Sequence, residues 1–116
     1  MKVTVYGIRN CDTMKKTFAW LDDHGVSYDF HDYKRRGVPA GKLAAWEEVA
    51  GWERLVNTRG TTWRRIPEVD RQDLDASRAL ALLAKYPSAI KRPVVEAGKK
   101  LLVGFDAEAF ERQFVQ

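Results

Sequence analysis

The amino-acid sequence predicts an α/β fold, a four-stranded mixed sheet with helices on its faces, and three stretches of the chain carry that prediction. Residues 2–33 read as strand, helix, strand; residues 34–90 read as helices; residues 93–114 read as two strands and a closing helix. A β-α-β unit of the first kind takes a right-handed crossover and places its two strands in parallel.

Lys2-Val-Thr-Val-Tyr6 alternates polar and apolar residues and includes β-branched members, the pattern of a short strand, and Gly7 lets the chain turn. Met14, Phe18 and Leu21 then recur at helical spacing as far as Gly25, a residue suited to the position just past a helix end. A helix therefore begins close to Cys11. Val26 to Tyr33, with Tyr28 and Phe30 among polar neighbours, reads as the second strand. Pro39 suits the first turn of the next helix, which Leu43, Trp46 and Val49 carry to Gly51. Between Trp52 and Asp73, Arg54, Arg59, Arg64 and Arg65 lie among Leu55, Val56, Trp63 and Ile66, which predicts short helical turns. Asp75 caps a further helix running through Leu80 and Leu83 to Pro87. Pro93–Glu96 and Lys100–Val103 flank Ala97-Gly98 as an antiparallel hairpin. Asp106 caps the last helix, whose Phe110 and Phe114, four apart, should pack on the sheet.

At 116 residues the chain is the size of one domain, so residues 1–116 are expected to form a single unit. The apolar run Ala79–Ala84 is far shorter than the roughly 20 residues of a transmembrane helix. Met1–Tyr6 lacks the apolar core of a signal peptide, and a cytoplasmic protein without a membrane partner is expected. Twenty basic residues against sixteen acidic give a formal net charge of +4, which permits acidic partners but is well short of a nucleic-acid-binding balance. Lys34-Arg35-Arg36 and Arg64-Arg65 accordingly read as solvated loops, and direct nucleic-acid binding is not expected. The lone cysteine, Cys11, excludes an internal disulfide, and with only His24 and His31 beside it the sequence shows no metal-ligand pattern.

Chemistry centres on Cys11. A free thiol with a pKa of about 8.5 is only about 3% ionised at neutral pH, whereas one held near 6.5 is mostly the nucleophilic thiolate. The start of a helix supplies free N–H groups and the positive end of the helix dipole, both of which favour that anion. Arg9 and Lys15 lie close in sequence, and the Thr13 hydroxyl is placed to donate to the sulfur. The competing reading of a lone cysteine is a small hydrophobe in the core. The polar setting Arg9-Asn10-Cys11-Asp12-Thr13 favours reactivity. Arg59 and Arg92 are candidates for gripping a carboxylate or oxyanion, since a guanidinium matches those groups with two parallel hydrogen bonds, although solvated surface arginines are the commoner case. The Arg92-Pro93 bond precedes a strand, and either isomer is compatible with the sequence.

Asn10-Cys11-Asp12-Thr13-Met14-Lys15-Lys16, Trp20-Leu21, Lys91-Arg92-Pro93-Val94-Val95 and Leu101-Leu-Val-Gly-Phe105 together resemble the arsenate reductase-like (ArsC/Spx/YffB) family over nearly the whole chain, with the YffB branch nearest. The resemblance implies a thioredoxin-like fold with a helical insertion, Cys11 as nucleophile, Pro93 as the cis-proline facing it, and Arg92 at an oxyanion-binding position. Asn57-Thr58-Arg59 falls, about two residues out of register, where arsenate reductases hold a second arginine. A third would fall near Val103 or Gly104, and Gly7 stands where their histidine precedes the cysteine. Both departures argue against arsenate reduction. The redox switch of Spx-type regulators, which bind RNA polymerase, needs a second cysteine where this chain has Met14. The YffB likeness implies a glutathione-dependent monothiol reductase with no tightly bound cofactor. Its expected glutathione- and substrate-binding residues are Asn10, Thr13, Lys15, Arg59, Arg92 and Pro93, and its substrate is an undefined thiol, disulfide or oxyanion. A polymerase-binding regulator and an arsenate reductase are the alternatives.

Overall fold

The computed structural model describes residues 2–115; the ends of the expected 1–116 domain, Met1 and Gln116, lie outside it. Strands β1 (Val3–Gly7), β2 (Asp29–Asp32), β3 (Val94–Ala97) and β4 (Lys100–Val103) form one mixed sheet in the order β2-β1-β3-β4. β1 runs parallel to β2, with Val5 beside Phe30, and antiparallel to β3, with Val5 beside Val95. β3 and β4 form the expected hairpin, Val95 facing Leu102. Helix α1 (Asp12–Asp23) joins the parallel pair and α8 (Ala107–Phe114) closes the chain. Between β2 and β3 lies a helical insertion: α2 (Tyr33–Arg36), α3 (Lys42–Ala50), α4 (Trp52–Leu55), α5 (Thr61–Arg65), α6 (Glu68–Arg71), α7 (Ala76–Lys85) and a 3-10 turn at Pro87–Ala89.

Local hydrogen bonds set several boundaries. Asp75 accepts from the Arg78 N–H, and Asp106 from those of Glu108 and Ala109, so both carboxylates satisfy helix-start donors as the sequence predicts. Strands β1 and β3 each lie one residue later than the sequence predicts, and two boundaries differ by more. The second strand is shorter than Val26–Tyr33, because the Val26 N–H is used to close α1 on the Leu21 carbonyl, while Asp32 caps a turn that takes Tyr33 into α2. Pro39 does not sit in the first turn of a helix. Its carbonyl accepts from the Lys42 N–H, and Gly41, at φ 81°, turns the chain into α3.

Alternation along the strands gives the sheet two unlike faces. Val3, Val5, Val95 and Ala97 point to α1 and α8, where they bury Met14, Leu21 and Phe110, with Trp20, Phe105 and Phe114 packed around them. Tyr6 and Val94 point the other way, to Leu43, Trp46, Leu55, Leu82, Leu83 and Ile90 of the insertion. Glu96 shares that second face. Its carboxylate accepts from the Tyr6 hydroxyl at 2.9 Å, from Trp46 Nε1 at 3.0 Å and from Lys42 Nζ at 2.9 Å. One side chain of β3 thus holds β1 and α3 together. Burial alone would raise the pKa of Glu96, but Lys42, Trp46 and Tyr6 hold it below the usual carboxylate value.

An isolated antiparallel bridge ties the insertion to the sheet's approach: Val56 pairs with Ile90, the Asn57 N–H bonds the Ala89 carbonyl at 2.8 Å, and the Lys91 N–H bonds the Leu55 carbonyl at 2.7 Å. Two peptide bonds further along, Arg92-Pro93 is cis.

Candidate active site

β1 leads straight into the site. At Gly7 an added Cβ would lie 2.6 Å from Met14 Sδ, so the bare glycine is what lets the first turn of α1 pack down on the strand. Two residues of bend follow, and Cys11, in extended backbone at φ −150° and ψ 133°, takes the position just before α1. Its carbonyl accepts the first helical hydrogen bond, from the Lys15 N–H at 2.9 Å. The neutral thiol makes no capping hydrogen bond. The thiolate is better served. Burial of the sulfur raises its pKa, but the N–H groups of Met14 and Thr13, then the charge and hydrogen bond of Arg92, outweigh burial and leave Cys11 below the usual thiol value. Acceptance of two helix-start N–H groups is what an anion gains at this position.

Cys11 opens onto a cavity of about 370 Å3. Thr13 lines it from α1, Asn57 from the insertion, Lys91 and Arg92 from the approach to Pro93, and Val103, Gly104 and Phe105 from the exit of β4. Arg92 is fixed by a 3.0 Å hydrogen bond from its Nη1 to the Ser88 carbonyl in the 3-10 turn. The structure therefore brings Cys11, Thr13 and Arg92 together around the cavity, while Pro93, next in the chain, is buried and does not line it. Thr13 acts on the sulfur through its backbone N–H, and its hydroxyl does not enter.

Asn10 and Lys15 are exposed and do not line the cavity. Arg9 turns away, its guanidinium 5.1 Å from the centre of the Phe30 ring. Arg59 lines an adjoining chamber instead. Asn57 and Lys91 are site residues that sequence reasoning missed as such. The only sequence signal for Asn57 is its place two residues before Arg59, since the Val56–Ile90 bridge that fixes it joins distant segments. Among the described residues no group of His, Cys, Asp and Glu is clustered to hold a metal.

A cysteine just before the first helix and a cis-proline leading into β3 of a mixed four-stranded sheet are features of a thioredoxin-like domain. The chain belongs to the ArsC family, whose profile matches residues 6–113. A solved structure of a YffB protein superposes with a TM-score of 0.95 at 45% identity, covering 98% of this chain and all of that one. An uncharacterised protein of Haemophilus influenzae is 43% identical over 97% of this chain and 98% of its own length. The global transcriptional regulator Spx of Streptococcus mutans is 26% identical over 91% of this chain and 78% of its own.

Proposed function

We propose that this protein is a glutathione-dependent monothiol reductase acting in the cytoplasm. The observation that carries the reading is the placement of the chain's one thiol: partly exposed in a cavity, at a helix start, beside Arg92, with its pKa lowered. In the first step the Cys11 thiolate attacks the glutathione sulfur of a mixed disulfide between glutathione and a substrate thiol. A Cys11–glutathione disulfide forms, the substrate's S–S bond breaks, and the substrate thiolate leaves with the electron pair. In the second, a glutathione thiolate attacks that disulfide, releasing oxidised glutathione and restoring the Cys11 thiolate. Each turnover consumes one free glutathione, the other half of the oxidised glutathione coming from the substrate disulfide, so a chain without a resolving cysteine completes the cycle. Thr13 and Met14 hold the thiolate through their N–H groups, and Arg92 supplies the facing charge.

The test is turnover of a glutathionylated peptide with reduced glutathione, followed by mass spectrometry of the protein. A glutathione adduct at Cys11 and complete loss of turnover in Cys11→Ser are expected. Turnover that survives Cys11→Ser would overturn the reading.

The likeness to Spx supports a second reading, a regulator that docks on RNA polymerase. Capture of polymerase by wild type and Cys11→Ser alike, with no exchange activity, would favour it. Arsenate reduction is less supported, because Val103 and Gly104 line the cavity where that chemistry would need a third arginine.

A further inference from the structure

The cavity at Cys11 continues past Asn57. A second chamber of about 420 Å3 shares Asn57, Lys91 and Val103 with it. Arg54, Arg59 and Lys91 line this chamber, and Glu53 is its one acidic wall residue. Among the described residues the ion pair is Lys42–Glu96, so none of these three cations has one. Unpaired cations around a concavity raise its positive potential and draw anions to it. The segment that carries them has the same sign: residues 33–91 hold twelve Lys and Arg against seven Asp and Glu, a net +5, while the rest of the chain holds eight against nine, a net −1.

Arg92 does not serve the second chamber. It donates to the Ser88 carbonyl and acts on the Cys11 sulfur. The cation that acts on the sulfur and the two arginines of the second chamber are thus different residues, with Lys91 lining both chambers. At about 370 and about 420 Å3, each chamber has the volume of a small-ligand site.

We propose that the second chamber is a subsite for carboxylates and that the disulfide substrate is an acidic polypeptide, with Asp or Glu a few residues from its reacting cysteine. The proposal rests on the exchange reading above. An extended chain advances about 3.3 Å per residue, so a side chain two or three positions from the cysteine reaches the chamber beside the one that takes the sulfur.

The test uses two synthetic peptides, each with one cysteine carried as a 2-pyridyl disulfide, flanked by Glu in one and by Gln in the other. The Cys11 thiolate attacks the peptide sulfur; a Cys11–peptide disulfide forms, the old S–S bond breaks, and pyridine-2-thiolate leaves with the electron pair. Release of the thione reads the rate. The Glu peptide is expected to react at least about tenfold faster with wild type, the scale of one charge-assisted hydrogen bond, with a ratio that falls as salt is raised. In Arg54→Gln/Arg59→Gln the ratio should fall towards one, whereas Arg64→Gln/Arg65→Gln, which removes the same charge from exposed positions outside the chamber, should keep it. Equal rates for the two peptides in wild type, or equal losses in the two double variants, would overturn the subsite while leaving exchange intact. The same loss with a glutathionyl 2-pyridyl disulfide would assign the chamber to the co-substrate and overturn the polypeptide assignment. No reaction with any of these disulfides would overturn the exchange reading and the subsite with it.

Discussion

On the side of α1 and α8 the sheet meets aliphatic and aromatic groups, Val5 and Val95 packed on Met14, Leu21 and Phe110; on the side of the insertion the same strand β3 presents Glu96 to Lys42, Trp46 and Tyr6. Alternation makes this division, sending Val95 and Ala97 one way and Val94 and Glu96 the other. Close packing without polar groups is tolerant of direction, whereas a carboxylate with three kinds of donor fixes a geometry. The difference teaches where the site's two halves come from. Cys11 sits at the start of a helix on the α1 and α8 face, Asn57 in the insertion on the face that also holds Glu96, and the cavity lies where they meet.

The apolar face should give way hardest. Phe110→Ala removes a fully buried ring, and a loss of about 3–5 kcal/mol is expected in urea unfolding. A loss under about 1 kcal/mol would show that this face relaxes around cavities and would break the contrast.

On the insertion face, Glu96→Gln replaces an acceptor oxygen with an NH2 group that cannot accept from Lys42 or Trp46. The loss should be smaller, roughly 1.5–3 kcal/mol, and it carries a pH signature that Phe110→Ala lacks. Because the folded pKa of Glu96 lies below its unfolded value, its contribution is fully present above the unfolded carboxylate pKa and is lost as pH falls through the folded one. Unfolding curves of wild type and Glu96→Gln should therefore converge on the acid side. Parallel curves would mean that the carboxylate's charge is not what binds α3 to the sheet.

The smallest change in stability, about 1 kcal/mol or less, is expected for Arg92→Ala, which loses one hydrogen bond to a carbonyl. Its effect should appear at the thiol. A pH series of iodoacetamide alkylation should place the wild-type midpoint below the free-thiol value of about 8.5 and move it up in the variant. An unmoved midpoint would leave the N–H groups of Met14 and Thr13 as the thiolate's only support and detach the site from the insertion side.

Much of this architecture was legible because its causes are local. Asp75 and Asp106 cap helices whose free N–H groups lie within three residues of them, and Gly25 closes α1 where the periodicity of Met14, Phe18 and Leu21 stops. Cys11 was legible for the same reason, as the residue between a strand and a helix. What the sequence hid depends on distant pairing. Arg9, two residues from the thiol, stacks on Phe30, while Arg92, at the far end of the insertion and singled out in the sequence by the family resemblance rather than by its spacing, acts on the sulfur. Asn57 enters the cavity only because Val56 meets Ile90, and Val26 leaves its expected strand because its N–H is needed at the end of α1. Lys15 and Asn10 share the motif of the nucleophile but point to solvent, a direction that proximity along the chain does not encode.

The bridge between Val56 and Ile90 has a consequence for how such a chain can be altered. It brings the two feet of the 57–89 excursion side by side, so that the excursion begins and ends at one place. The entropy of closing a loop grows only slowly with its length, so the exposed turns between the feet can change in length at modest cost, provided Leu82, Leu83 and Ala89 stay packed on the sheet and Ser88 keeps its hold on Arg92. Arg59 belongs to the exchangeable part, and Arg92 and Cys11 do not. The exposed turn around Arg59 is in effect a cassette: a designer could graft a different wall there while leaving untouched the core residues of the excursion and the strand, helix and proline around Cys11.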